Sequence, residues 1–155
     1  MKTIKLPTGE RVKVDDDFYP MLMTLGNWCR QSGRYAATRH RGKLLLMHNV
    51  VYEWRFDGIP EDRTVDHCDR DGFNNQTDNL RIATASQQCA NRARSKRNTS
   101  GYKGVYLQKK SRRWLTQFHF QGKHYYDGCY DTPEEAADAY ARLCESIVGE
   151  FAHHD

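Results

Sequence analysis

Between Val65 and Arg81, in the stretch VDHCDRDGFNNQTDNLR, an aspartate and a histidine stand side by side, and Asn74, Asn75 and Asn79 follow within one loop's length. A site that hydrolyses a phosphodiester needs a base to activate water and a cation to stabilise charge on the phosphate. Asp66 offers a carboxylate for a hard cation, and His67 an imidazole that is a base near neutral pH. Adjacent residues on a strand point to opposite faces, so a bend or a strand end must aim both into one cleft. Asn79 falls where a returning strand would carry it, and a hydrogen bond from an asparagine there orients the imidazole and fixes its tautomer. A second oxygen ligand must then come from the helix that faces this hairpin. For Asn74 and Asn75, simple turn formation explains the residue type as well as chemistry does. Cys68 has no identifiable partner to stabilise a thiolate and reads as part of the wall.

These groups need a frame. RTVDH is β-prone, NLRIAT is the returning strand, and Thr84 with Gln87 forms a capping-box pattern that starts a helix at Ala85 and runs it to about Arg94. Upstream, MHNVVYEWRF is apolar enough for a helix or a strand, and periodicity does not choose between them. His48, within it, reads as a packed or capping histidine. The first 47 residues alternate strand-like runs (Thr3 to Leu6, Arg11 to Val14, Lys43 to Leu46) with turns, plus a helical insertion near Asp17 to Trp28. Downstream, the polar SKRNTS at Ser95 to Ser100 is the best linker. GVYL, RWLTQFHF and KHYYDGCY then read as a three-stranded antiparallel meander. Thr132-Pro133-Glu134-Glu135 opens a helix whose apolar face, from Ala136 to Phe151, repeats at helical spacing. On the middle strand Trp114, Thr116, Phe118 and Phe120 share the face that packs on this helix; Arg113, Leu115, Gln117 and His119 share the free face.

The net charge of +4 hides an asymmetry. From Asn79 through Tyr126 there is no acidic residue, whereas Asp127 to Asp155 is rich in carboxylates and holds a single arginine, Arg142. A basic middle interleaved with aromatics presents a face to a polyanion, and the acidic end keeps the opposite side away from it. With 155 residues and 38% hydrophobic content, the chain is long enough for one ordinary domain or two small ones. The five cysteines are scattered without a C-x-x-C pair, which indicates neither a disulfide framework nor a thiolate zinc site. No apolar run is long enough for a membrane span or a signal peptide, so a cytosolic protein without membrane partners is expected.

VDH, the loop, NN, DNLR and the following helix resemble the HNH family of ββα-metal nucleases, particularly its homing and phage-type members, over residues 48–92. That resemblance implies His67 as general base, Asp66 as metal ligand, Asn79 as the residue orienting His67, and Gln88 at the helix position that completes the metal site. It also implies Mg²⁺ or Mn²⁺ as cofactor, and a bacterial or phage-infected host cytosol. The family's residue at that helix position is asparagine or histidine. Gln88 has the same carbonyl oxygen as asparagine on a longer stem, which implies reduced activity, and Asn91 lies one turn further on the same face. Residues 100–152 resemble the Apetala-two/ERF DNA-binding domain in YKGV, the Trp114 strand, Gly128 with Tyr130, and DTPEEAADAYA. By that resemblance Lys103, Tyr106, Gln117, His119, His124 and Tyr126 face a DNA groove, while Lys109, Lys110, Arg112 and Arg113 suit phosphate contacts.

The expectation is therefore an α+β chain: a small β-rich lead-in and ββα-metal core in residues 1–94, a linker at 95–100, and a three-stranded antiparallel sheet backed by one helix in 101–155. The expected function is metal-dependent nicking of double-stranded DNA by a monomer or weak dimer. The alternatives are a sequence-specific DNA-binding protein with an impaired nuclease site and a nuclease directed at RNA.

Overall fold

The computed structural model describes residues 1–153; His154 and Asp155, the end of the acidic stretch, lie outside the described residues. Among the described residues the chain is a mixed α/β protein built from small antiparallel sheets and four α-helices, and it divides into two compact units between Thr84 and Ala85.

The first unit opens with a hairpin, β1 (Lys2–Lys5) against β2 (Arg11–Val14), whose alternating burial turns Ile4, Val12 and Val14 inward. Helix α1 (Tyr19–Thr24) follows, with Pro20 in its first turn. It is shorter than the helical insertion expected near Asp17 to Trp28, because Gly26 takes a positive φ (133°) just beyond it and Cys29 already begins a strand. That strand, β3 (Cys29–Gln31), pairs with β4 (Tyr35–His40), which pairs with β5 (Lys43–Leu46). MHNVVYEWRF is a helix, α2 (Met47–Phe56): Met47, His48, Val50 and Val51 are its buried residues, a spacing that belongs to one helical face. A second hairpin, β6 (Thr64–His67) with β7 (Leu80–Ala83), completes the unit. One core joins β1, β2, α1, β4, α2, β6 and β7, with Ile4, Leu6, Val12, Val14, Leu22, Trp28, Ala36, Met47, Val51, Val65 and Leu80 among its members. The lead-in is therefore part of the body that holds β6 and β7.

The second unit begins with α3 (Ala85–Ala90). The helix stops about one turn before the expected Arg94. Asn91 follows it, and asparagine favours local hydrogen bonds over the helical interior. The polar segment SKRNTS follows. The Asn98 side chain accepts from Gly101 N–H and donates to the Tyr102 carbonyl, and the Lys103 ammonium donates to the Ala90 carbonyl, tying this segment and α3 into one unit.

The antiparallel meander follows: β8 (Val105–Gln108), β9 (Arg113–Phe120) and β10 (Lys123–Tyr130), with β9 central. Helix α4 (Pro133–Val148) opens with the expected capping box, Thr132 and Glu135 each bonding the other's backbone. It packs on the face carrying Thr116 and Phe118. Thr116 Oγ1 donates to the Ala136 carbonyl at 2.7 Å, and Phe118 lies edge-on to Tyr140 with ring centroids 5.9 Å apart. A Cβ on Gly104 would come within 2.0 Å of the Tyr140 ring, so the glycine of YKGV is a packing requirement. Among the described residues no helix is long and apolar enough to cross a membrane.

Candidate active site

Asp66 and His67 are the last two residues of β6, and both are buried, at 7% and 5% exposure. Their neighbours come from the whole first unit. Asp66 stands opposite Arg81 on β7, whose guanidinium Nε lies 3.5 Å from the Asp66 carboxylate. The pairing of β6 with β7 is regular, residue for residue. Regular pairing of this kind puts successive side chains on alternate faces, and His67 stands at the end of the strand. The carboxylate still acts electrostatically on the imidazole.

The imidazole sits in an aromatic setting that the sequence did not announce. Tyr35, the first residue of β4, is stacked on it with centroids 5.9 Å apart and planes 22° apart, and His48 of α2 meets it edge-on at 5.0 Å. Asn75, fully buried, places its Oδ1 3.4 Å from His67 Nε2. In a neutral ring an Nε2–H donor in that contact leaves the basic lone pair on Nδ1. Burial lowers the pKa of His67, opposed by the Asn75 contact and by the charges of Asp69, Asp66 and Asp71. His48 is lowered further, to about 3, by burial and then by the charge of His67, and its Nδ1 is buried without a hydrogen-bond partner.

The Asn79 side chain bonds within the loop, and its backbone carbonyl accepts from Cys68 N–H. Its amide nitrogen donates to Asp69 Oδ1 at 2.9 Å and to the Asn74 carbonyl at 2.8 Å, and its Oδ1 accepts from Asp69 N–H. Asp69 Oδ1 also accepts from Asp71 N–H, Asp69 Oδ2 accepts from Asn74 Nδ2, and Asp71 Oδ1 accepts from Phe73 N–H, so the short polar side chains bond to one another and to the backbone inside the loop. Burial raises the Asp69 pKa, but the bonds from Asn74, Asp71 N–H and Asn79 outweigh it and hold the carboxyl below its usual range. The far end of the loop is pinned by Asp15, whose carboxylate accepts from Thr77 N–H and Thr77 Oγ1, both at 2.8 Å. Asn75 N–H donates to the Lys13 carbonyl and Lys13 N–H to the Phe73 carbonyl. Thus β2 seats the loop, and the loop delivers Asn75. Its position, eight residues after His67 in a run of asparagines, was visible in the sequence; its direction was not.

As a metal ligand Asp66 has the right chemistry, a hard oxygen donor whose pairing with Arg81 is at the outer limit of a hydrogen bond. Among the described residues no group of three His, Cys, Asp or Glu side chains could hold a metal. Gln88 lies on α3, in the second unit, partly buried.

In the second unit, Gln117 faces Tyr126 and His119 faces His124 across β9 and β10, while Leu115 of β9 stands opposite Tyr106 of β8. The two histidine rings meet edge-on at 4.7 Å. Tyr106 and Tyr126 are exposed, and Lys109, Lys110 and Arg112 are exposed in the β8–β9 turn. Arg113, also exposed, pairs with Asp131 at 2.9 Å. Lys103 departs from this set, because its ammonium is directed to the Ala90 carbonyl inside the unit.

No family model matches the chain, and no solved structure matches it significantly. Two curated proteins do. An uncharacterized HNH endonuclease of Acanthamoeba polyphaga mimivirus is 31% identical over 143 residues, covering 88% of this chain and 70% of that protein. Protein 3.8 of Escherichia phage T7 is 32% identical over 105 residues, covering 68% of this chain and 86% of that protein. With that extent of likeness, the chain belongs to the HNH endonuclease family.

Proposed function

We propose that the chain is a metal-dependent endonuclease that nicks double-stranded DNA, with His67 as general base, Asp66 as metal ligand and the β8–β10 sheet as the DNA-docking surface. The observation that carries this reading is the placement of His67. Its imidazole is buried at the end of β6, with Asn75 Oδ1 3.4 Å from Nε2 and the rings of Tyr35 and His48 against it, in a chain of the HNH endonuclease family. A neutral imidazole at working pH can take the proton of an attacking water, which then forms the new P–O bond as the leaving oxygen departs. Asp66 would hold Mg²⁺ or Mn²⁺, whose charge stabilises the negative charge building on the phosphate. Since regular pairing puts successive side chains of β6 on alternate faces, the reading requires the phosphate to lie across the end of that strand. Asn75, whose Oδ1 lies 3.4 Å from His67 Nε2, would orient the base.

In this reading residues 1–94 supply the nuclease module and residues 101–155 the docking module. Lys109, Lys110, Arg112 and Arg113 contact phosphates, while Tyr106, Gln117, His119, His124 and Tyr126 face the groove. One site per monomer cuts one strand per engagement. Supercoiled plasmid incubated with Mg²⁺ or Mn²⁺ tests it: relaxation to open circles by the wild type and none by His67→Ala is expected, and faster cleavage of a competing RNA would redirect the substrate assignment.

A second reading, a DNA-binding protein with an impaired nuclease site, is favoured by the regular strand pairing at Asp66 and His67 and by the pairing of Asp66 with Arg81. Tight plasmid binding without relaxation under either cation would select it.

A further inference from the structure

We infer that Tyr35 is a positioning residue for His67: its ring, stacked on the imidazole with the loop at Gly72 packed against it, sets the plane in which the base works. This rests on the assignment of His67 as general base.

Three contacts converge on that one ring. Tyr35 lies nearly parallel to His67, centroids 5.9 Å and planes 22° apart, the offset arrangement that aromatic quadrupoles favour. His48 meets Tyr35 edge-on at 5.0 Å and His67 edge-on at 5.0 Å, so the three rings close on one another. Tyr35 is also approached by the loop backbone at Gly72, where a Cβ would fall 2.7 Å from Tyr35 Cδ1 and 2.1 Å from the Arg34 carbonyl oxygen. Nothing larger than glycine fits. The loop that carries Asn75 to the imidazole therefore also packs against Tyr35.

His67 needs such support because it is the last residue of a four-residue strand, where pairing with β7 ends. A base that must meet a water within hydrogen-bond distance loses on the order of 100-fold in rate when displaced by about 1 Å. The Tyr35 hydroxyl makes no hydrogen bond among the described residues, so the ring alone does the positioning.

The test uses the full-length chain in the plasmid assay with Mg²⁺, together with the His67 imidazole ¹H–¹³C signals. Tyr35→Phe is expected to keep kcat within about twofold of wild type. Tyr35→Leu is expected to lose about 10- to 100-fold in kcat with KM little changed, and to shift and broaden the His67 signals. Wild-type kcat in Tyr35→Leu while His67→Ala is inactive overturns the inference, and so does a Tyr35→Phe variant as slow as Tyr35→Leu, which moves the role to the hydroxyl. If His67→Ala nicks at the wild-type rate, the assignment of His67 as base is what fails; the imidazole signals then decide alone, and sharp, unmoved signals in Tyr35→Leu overturn the positioning as well. Should Tyr35→Leu melt below the assay temperature, Tyr35→Met fills the site without a ring face and is judged by the same criteria.

Discussion

Acid should loosen the first unit through His48. Unfolded, this histidine takes a proton near pH 6.5; folded, it resists protonation until about pH 3, because it is buried and faces His67. Its folded pKa is depressed, so the stability it protects is whole above pH 6.5 and is lost as pH falls from there toward 3. At pH 5 the deficit spans about 1.5 pH units at about 1.36 kcal/mol each, or about 2 kcal/mol, from His48 alone. His67, shifted in the same direction by burial, adds to it. The assay is urea unfolding at pH 7.5 and pH 5.0, followed by the fluorescence of Trp28, which is buried in the same core, in a Trp54→Phe, Trp114→Phe background. With a denaturant slope of about 1–3 kcal/mol per molar urea, the wild-type midpoint should fall by about 1 M on acidification. His48→Phe keeps the ring and removes the titration, so its midpoint should fall markedly less. Equal drops in the two proteins, or no drop in the wild type, would refute the assignment of the buried neutral His48 as the acid-sensitive element.

Asn75→Ala should destabilise the first unit by about 1–3 kcal/mol in urea melts, because it strips a buried polar partner from His67; Asn79→Ala should lower stability through the loop while leaving the His67 imidazole signals in place. Replacing Lys109, Lys110 and Arg112 with alanine should weaken DNA binding across sequences, and titration at several salt concentrations should show the log–log slope falling by about 1 for each charge that meets a phosphate. Gln88→Asn should raise the nicking rate and Gln88→Ala lower it, read from initial rates with Mg²⁺; equal rates in all three proteins would remove Gln88 from the metal site.

Much of the second unit was legible because its signals are local. Aromatic alternation separated by turn residues gives β8 to β10, and Thr132-Pro133-Glu134-Glu135 gives the start of α4. The first unit was harder. β4 carries Ala36, Ala37 and Thr38 in succession, all buried, so no period-two pattern marks it, and with it Tyr35 passed unnoticed. The helix in MHNVVYEWRF was decided by tertiary packing of Met47, Val50 and Val51 on the shared core. In the candidate site the pair Asp66 and His67 was visible from residue type and spacing. Which asparagine meets the imidazole was not, because it depends on how β2 seats the loop through Asp15 and Lys13, more than fifty residues away in sequence. Nor could composition reveal that the Lys103 ammonium bonds to the Ala90 carbonyl.

The most direct test of the account is the conversion of supercoiled plasmid to open circles by the full chain, with Mg²⁺ or Mn²⁺ and with chelator, beside His67→Ala and Asp66→Ala. Cation-dependent nicking by the wild type that both substitutions abolish is the predicted result. Nicking that survives His67→Ala, or DNA binding with no cleavage under either cation, would contradict a hydrolytic site at the end of β6.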